Sequence, residues 1–248
     1  MKVRFLVAAS ASLFLSYAAS AAEIKVLASG ATKEVYLDLV PQFEQSSGHR
    51  VMPTFSGTAD IKKRMAAGEV YDVVIVSGPD IDAFIQQGKM AAGSRKDLMK
   101  SGVGVAVRAG APKPDIGSSE ALKKTLLAAK SIGYSTGPSG IHVVGLIERM
   151  GITDQVKSKL KQTPSGVRIG TIIASGEAEI GFQQVSELIH EPGIDYLGPL
   201  PADVQKITVY SAGIHSEAKQ PDAAKELIKV FTVPAAAAVI KMHGMEPG

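Results

Sequence analysis

The chain has 248 residues, 27 Lys plus Arg against 24 Asp plus Glu, and a formal charge of +3. That balance, with no Lys- or Arg-rich run, argues against a nucleic-acid footprint. With no Cys, disulfides and thiolate chemistry are excluded, and the length predicts one to two domains whose core needs no covalent staples.

Residues 1–21 read as a secretory signal peptide. Lys2 and Arg4 give a positive start, Phe5 to Leu15 is apolar, and Ala19-Ser20-Ala21 fits a small-residue cleavage site. The apolar run is too short to span a bilayer, and no later stretch is long enough either. The expected location is therefore the periplasm, and the mature chain is near neutral, with 25 basic against 24 acidic residues.

Ile24 to Ala28 reads as a short buried strand running into Ser29-Gly30-Ala31-Thr32. A helix is expected over Lys33 to Ser47, with Val35, Leu39, Val40 and Phe43 at helical spacing and Gly48 as its left-handed stop. Such a turn leaves backbone N–H groups and a positive dipole end aimed at one spot, a ready anion site without a charged side chain. The device then recurs. Arg50 to Phe55 is a second strand, which Pro53 disfavours in mid-sheet. Ser56-Gly57-Thr58 and a helix to Ala67 follow, stopped by Gly68. Val73 to Val76 is a β-branched strand, followed by Ser77-Gly78-Pro79 and a helix from Asp80 to Gly88. Three strand–polar turn–helix units in a row predict a parallel α/β sheet.

Gly102 to Arg108 is a further strand, and Gly110 to Pro114 breaks the rhythm as a crossing between lobes would. A helix is expected over Ser119 to Ala129 and a strand over Ile132 to Tyr134. Thr136-Gly137-Pro138-Ser139-Gly140 then opens a helix, Ile141 to Met150, closed by Gly151. Short helices are expected over Asp154 to Leu160 and Arg168 to Ser175, the latter stopped by Gly176. A strand, Ala178 to Phe182, delivers Gln183 and Gln184, one of which faces the cleft by strand alternation. Ile194 to Leu197 and Lys206 to Ala212 are strands. Pro221 to Phe231 and Pro234 to His243 are the closing helices.

The segments Leu27-Ala28-Ser29-Gly30-Ala31-Thr32, Phe55-Ser56-Gly57-Thr58, Asp72-Val73-Val74-Ile75, Pro138-Ser139-Gly140-Ile141 and Glu177-Ala178-Glu179-Ile180-Gly181, with Ile240 to Met245, resemble the molybdate-binding proteins of ABC transporters. The resemblance covers essentially the whole mature chain and rests on the order of the segments rather than on one motif. It implies the type II periplasmic binding fold: an α/β protein of two lobes with a ligand cleft between them. Lobe 1 would be residues 22–105 plus 208–248 and lobe 2 residues 106–207, with hinges near Ala106–Ala109 and Thr208–Ser211. Carried over by position, the ligand-binding set is Ser29, Gly30, Ala31, Thr32, Ser56, Gly57, Thr58, Ser77, Ser139, Gly140, Ile141, His142 and Gln184. The Tyr with which that family hydrogen-bonds its oxyanion falls at Gln184, and an amide there suits either a molybdate-like oxyanion or a small organic carboxylate. The ligand is thus expected to be a small anion. An inner-membrane permease is the expected partner and a monomer the expected state.

Two function classes follow. One is a binding protein whose neutral donors sit at helix ends, although Ser29, Ser56 and Ser139 would serve equally as helix caps. The other is an isomerase on the same scaffold, since aconitate isomerase is similar to this family. A tricarboxylate calls for cations, with Lys33, Arg64, Arg108, His142 and Arg168 as candidates. Moving its allylic proton calls for a base, for which His142 is the candidate. No G-x-S-x-G or P-loop run occurs. The five His residues, His49, His142, His190, His215 and His243, are scattered, so neither metal nor cofactor is expected.

Overall fold

A computed structural model of the chain describes residues 21–248. The expected signal peptide, residues 1–21, lies outside the described residues but for Ala21. Among the described residues, no helix is long and apolar enough to cross a membrane.

Two sheets divide the chain into two α/β lobes, as the resemblance implies. The first sheet has the order β11-β4-β10-β3-β1-β2, built from β1 (Glu23–Ser29), β2 (Arg50–Ser56), β3 (Val73–Ser77), β4 (Lys96–Ser101), β10 (Thr208–Ile214) and β11 (Glu246–Pro247). The second has the order β7-β6-β8-β5-β9, from β5 (Val103–Arg108), β6 (Ile132–Tyr134), β7 (Leu160–Gln162), β8 (Ile180–Gln184) and β9 (Ile194–Pro199). β1 runs parallel to β2 and β3, while β10 is antiparallel to β3 and β4. β2 is an edge strand, which is why it tolerates Pro53.

Helices cover both faces of each sheet. In lobe 1, α1 (Lys33–Ser47), α9 (Pro221–Val230) and α10 (Ala236–Met242) bury Val35, Leu39, Phe43, Leu227 and Ile240 on one face. On the other, α2 (Thr58–Ala66) and α3 (Gly78–Gln86) bury Ile61, Met65, Ile81 and Phe84 against Leu27, Val74 and Val76. Alternate residues of β1 thus feed two separate cores, the burial on both faces that a central parallel strand requires. In lobe 2, α4 (Ser119–Ala128), α5 (Pro138–Arg149) and α6 (Thr153–Val156) pack on one face of the sheet. The opposite face carries α7 (Ile169–Ala174) and α8 (Val185–Leu188). The expected stops Gly48, Gly68, Gly88, Gly151 and Gly176 all have positive φ.

The changeover between lobes differs from the expected one. β5 pairs with β8 and β9 from Val103 onward, so the chain leaves lobe 1 at Gly102, between β4 and β5. The expected boundary at 105/106 and the expected hinge at Ala106–Ala109 fall inside that strand, where ladder hydrogen bonds forbid rotation. The return runs through residues 200–207, and the expected hinge at Thr208–Ser211 lies within β10. β4 has no counterpart in the sequence reading, because Lys96-Asp97-Leu98-Met99-Lys100-Ser101 carries no clean alternation.

Asp72 ties lobe 1 together. Buried at 4% exposure, it accepts from Lys25 N at 2.8 Å through one oxygen and from Lys219 N and Gln220 N at 2.7 and 2.8 Å through the other. It therefore anchors the entry of α9 to the start of β1. Asp72→Ala leaves three backbone donors without their buried acceptor and is expected to destabilise the fold by about 3 kcal/mol. Urea denaturation measures this, and an unchanged midpoint would contradict the assignment.

Candidate functional site

Between the lobes lies a cleft of about 230 Å³. Lobe 1 contributes Ser29, Gly30, Lys33, Ser56, Gly57, Thr58 and Tyr210. Lobe 2 faces them with Ser135, Thr136, Gly137, Ser139, Arg168, Gln183, Gln184 and Glu187.

The geometry follows from the strand–helix turns. Ser29 ends β1 as its buried side chain accepts from Ala31 N at 3.4 Å, and a short 3-10 turn, Gly30–Thr32, leads into α1. α2 and α5 are capped by Gly57 and Gly137, which bring no side chain to occupy the first-turn N–H groups. Those groups lack partners inside their own helices. Three helices of nine residues or more, two from lobe 1 and one from lobe 2, thus begin at one cavity. Ser135 supports the lobe 2 arm: its hydroxyl accepts from Gly137 N at 3.2 Å and shares a hydrogen bond with the Ser139 hydroxyl at 3.2 Å.

Of the residues expected at the site, Ser29, Gly30, Ser56, Gly57, Thr58, Ser139 and Gln184 line this cleft. The others do not. Ala31 and Thr32 are buried behind it, with the Thr32 hydroxyl donating to Ser29 O at 2.9 Å. Ser77 donates to Asp80 Oδ2 at 2.5 Å as a local helix-start contact. Gly140 is packed so hard against the Ser135 carbonyl that no side chain would fit there. Ile141 is 69% exposed. The His142 ring Nε2 is held at 2.7 Å by the Val204 carbonyl on the return crossing, away from the cavity. Of the candidate cations, Lys33 and Arg168 line the cleft, while Arg64 pairs with Glu69 and Tyr71 on the surface and Arg108 does not reach it.

Arg168 is not free to grip a ligand. Its guanidinium bridges Glu34 of lobe 1 at 2.6 Å and Glu191 of lobe 2 at 2.9 Å. Burial opposes its charge, but the hydrogen bonds it donates to Glu191 and Glu34 outweigh that and raise its pKa. Two further contacts join the lobes: Ser186 Oγ donates to Ala31 O at 2.8 Å, and Asp60 N donates to Ser165 Oγ at 3.3 Å.

Both glutamines reach the floor of the cleft because β8 ends there. Gln183 Oε1 accepts from Ile169 N at 2.8 Å, and its Nε2 donates to Glu187 Oε1 at 2.9 Å. With its amide oriented so that nitrogen faces acceptors, Gln184 donates to Ser101 O and Gly102 O, each at 3.2 Å, and accepts from the Thr208 hydroxyl at 3.3 Å. Gln184 thus braces both crossings. Gln205 does the same nearby, accepting from Val103 N at 2.8 Å and donating to Val103 O at 3.0 Å.

Glu187 and Tyr210 escaped the sequence reading. Burial pushes the Glu187 carboxyl up to about 7, against the charge of Arg168 and hydrogen bonds from Gln184 and Gln183. Burial likewise pushes the Tyr210 phenol well up, aided by the charges of Glu187 and Asp80 and opposed by a hydrogen bond with Ser29. Among the described residues no three His, Asp or Glu side chains cluster closely enough to hold a metal ion.

Comparison with known proteins was consistent across sequence and structure. A family model described as bacterial extracellular solute-binding protein matches residues 24–246. The aconitate isomerase of a Pseudomonas species is 36% identical over 230 residues, covering 90% of this chain and 87% of that protein. The molybdate-binding protein ModA of Azotobacter vinelandii is 29% identical, covering 97% of this chain and 96% of that one. The solved periplasmic molybdate-binding protein of Azotobacter vinelandii superposes with a TM-score of 0.77 at 21% identity, over 91% of this chain and 99% of that chain.

If Gln184 serves the crossings, replacing it with Leu removes the amide that links Ser101 O and Gly102 O to the Thr208 hydroxyl, although Gly102 O keeps Val185 N at 2.9 Å. Gln184→Leu is expected to cost about 2 kcal/mol in urea denaturation. A loss under about 0.5 kcal/mol would mean that the amide serves the cleft and not the crossings.

Proposed function

The chain belongs to the bacterial extracellular solute-binding protein family, and from that premise we propose that it captures a small anion in the cleft by closing its two lobes. The observation that carries this reading is the convergence of the α1 turn, α2 and α5 on one hydroxyl-lined cavity, with two of the three helix starts capped by glycine. Dipole ends and neutral donors stabilise an anion without a fixed counter-charge. Lobe 1 is residues 22–102 plus 208–248 and lobe 2 residues 103–207. Closure turns about Gly102 and the return crossing at 200–207, and a membrane permease reads the closed surface. The protein works outside the cytoplasm as a monomer.

Gly57 supplies the sharpest test. Its φ of −73° suits any residue, yet a methyl group there would meet Gly166 N of lobe 2 at 2.5 Å. Gly57→Ala is therefore compatible with each lobe but not with their contact. Calorimetry against trans-aconitate, citrate, molybdate, tungstate and sulfate is expected to find an anion bound by the wild type. Gly57→Ala is expected to bind that anion more than about tenfold more weakly, a loss of about 1.4 kcal/mol, while its ligand-free melting temperature is unchanged. No response to any anion would overturn the reading.

A second reading is an isomerase acting on a tricarboxylate such as aconitate, favoured by the 36% identical relative of that name. The base for the proton shift would then be Glu187, which on this reading alone stays ionised with the substrate bound, since the His142 Nε2 is occupied by Val204 O. Proton NMR of trans-aconitate incubated with concentrated protein decides it: appearance of the cis isomer supports turnover, and an unchanged spectrum removes the enzyme reading.

A further inference from the structure

We infer that Glu187 is a ligand-facing, specificity-determining residue that carries a proton whenever the cleft holds its anion, so that anion uptake is coupled to uptake of one proton. This rests on the anion-binding reading above and adds to it which group admits the charge.

The geometry is as follows. Glu187 lies at the floor of the cavity, on α8, facing the turn at which α1 begins. A Cβ on Gly30 would lie 3.4 Å from its Oε1, so the carboxyl sits directly against the Gly30 arm of the site. One oxygen accepts from Gln183 Nε2 at 2.9 Å. Among the described residues, Glu187 makes no ion pair. The guanidinium nearest to it, Arg168, is bridged to Glu34 and Glu191 instead. Around the carboxyl stand Arg168 at the start of α7, Glu191 just after α8 and Tyr210 from β10, and Lys33 at the start of α1 lines the same cavity. Arg168 favours its ionised form, Glu191 opposes it, and Tyr210 is neutral.

An ionised Glu187 would set a like charge against any anion in the cavity, at a distance where the partly desolvated repulsion is severe. A protonated Glu187 does the reverse and donates a hydrogen bond to a ligand oxygen. Already near neutrality in the empty protein, the carboxyl is pushed further up by a bound anion. By linkage, protonation then tightens the anion by the same factor. The sign follows. Affinity is constant below the pH at which the empty protein's carboxyl ionises. Above it, affinity falls by up to a decade per pH unit until the carboxyl of the complex ionises too. Glu187→Gln keeps a neutral donor at the same place and removes the titration.

The experiment is calorimetric titration with trans-aconitate, and in parallel with molybdate, between about pH 6 and pH 9, where a typical carboxylate ligand stays ionised. Wild-type affinity is expected to fall roughly tenfold between about pH 7 and pH 8. Glu187→Gln is expected to match the wild type at the acid end and to stay flat. Titration of the wild type in two buffers of different ionisation enthalpy is expected to count about one proton taken up per anion near pH 8, a readout that does not depend on the variant folding. Binding that is independent of pH with no proton taken up overturns this inference and leaves the anion-binding reading intact. Binding of neither probe nor any other anion, at any pH, overturns both.

Discussion

Everything in this molecule is arranged around backbone N–H groups that the helices themselves cannot satisfy. A helix leaves its first N–H groups without partners, and in a closed interior each such group costs free energy. A capping side chain is one answer, as Ser118 gives for α4 by accepting from Ala121 N at 3.1 Å. At α2 and α5 the cap is glycine, and both helices begin at a cavity between the lobes, where Ser165 Oγ of lobe 2 takes one α2 donor, Asp60 N. The parallel βαβ order makes this possible, because it sends successive helix starts to the same end of the sheet. Two such sheets facing one another across Gly102 and the 200–207 return bring those ends together.

Electrostatics inside the cleft fit neutral recognition better than ion pairing. Its one guanidinium is committed to Glu34 and Glu191, where it holds lobe against lobe. As that pair is only partly buried, it contributes modestly and can yield when the lobes part. Lys33 is the other cation lining the site. What remains are hydroxyls, amides and helix dipoles, which spread an anion's charge without fixing one geometry. The crossings follow the same logic: Gln184 and Gln205 brace them with neutral amides, which hold position and leave the charge balance of the cleft untouched.

Much of this was legible in the sequence, for identifiable reasons. Strand–polar turn–helix order is a local signal, and so are the glycine stops at Gly48, Gly68 and Gly88. Hence the α/β sheet and the turns at Ser29-Gly30, Ser56-Gly57-Thr58 and Ser139 were readable from local order, while the two lobes followed from the family resemblance. The rest depends on contacts between distant segments. Nothing near Glu187 in sequence announces that α8 turns it toward Gly30, and Tyr210 enters from a strand that returns to lobe 1 after the whole of lobe 2. Arg168 was visible as a cation, but its partners are 134 and 23 residues away. His142 was picked because it follows a helix start, yet the helix turns its side chain toward Val204. The lobe boundary was misread because Gly102 heads an apolar run that belongs entirely to the next sheet.

The most direct test of the central claim is an amide NMR titration of 15N-labelled protein with trans-aconitate and then with molybdate. If one anion is held by helix starts from both lobes, the N–H signals of Gly30, Thr58 and Ser139 shift together and report a single dissociation constant. Shifts confined to one lobe, or an anion that binds while these three amides stay still, would contradict the account.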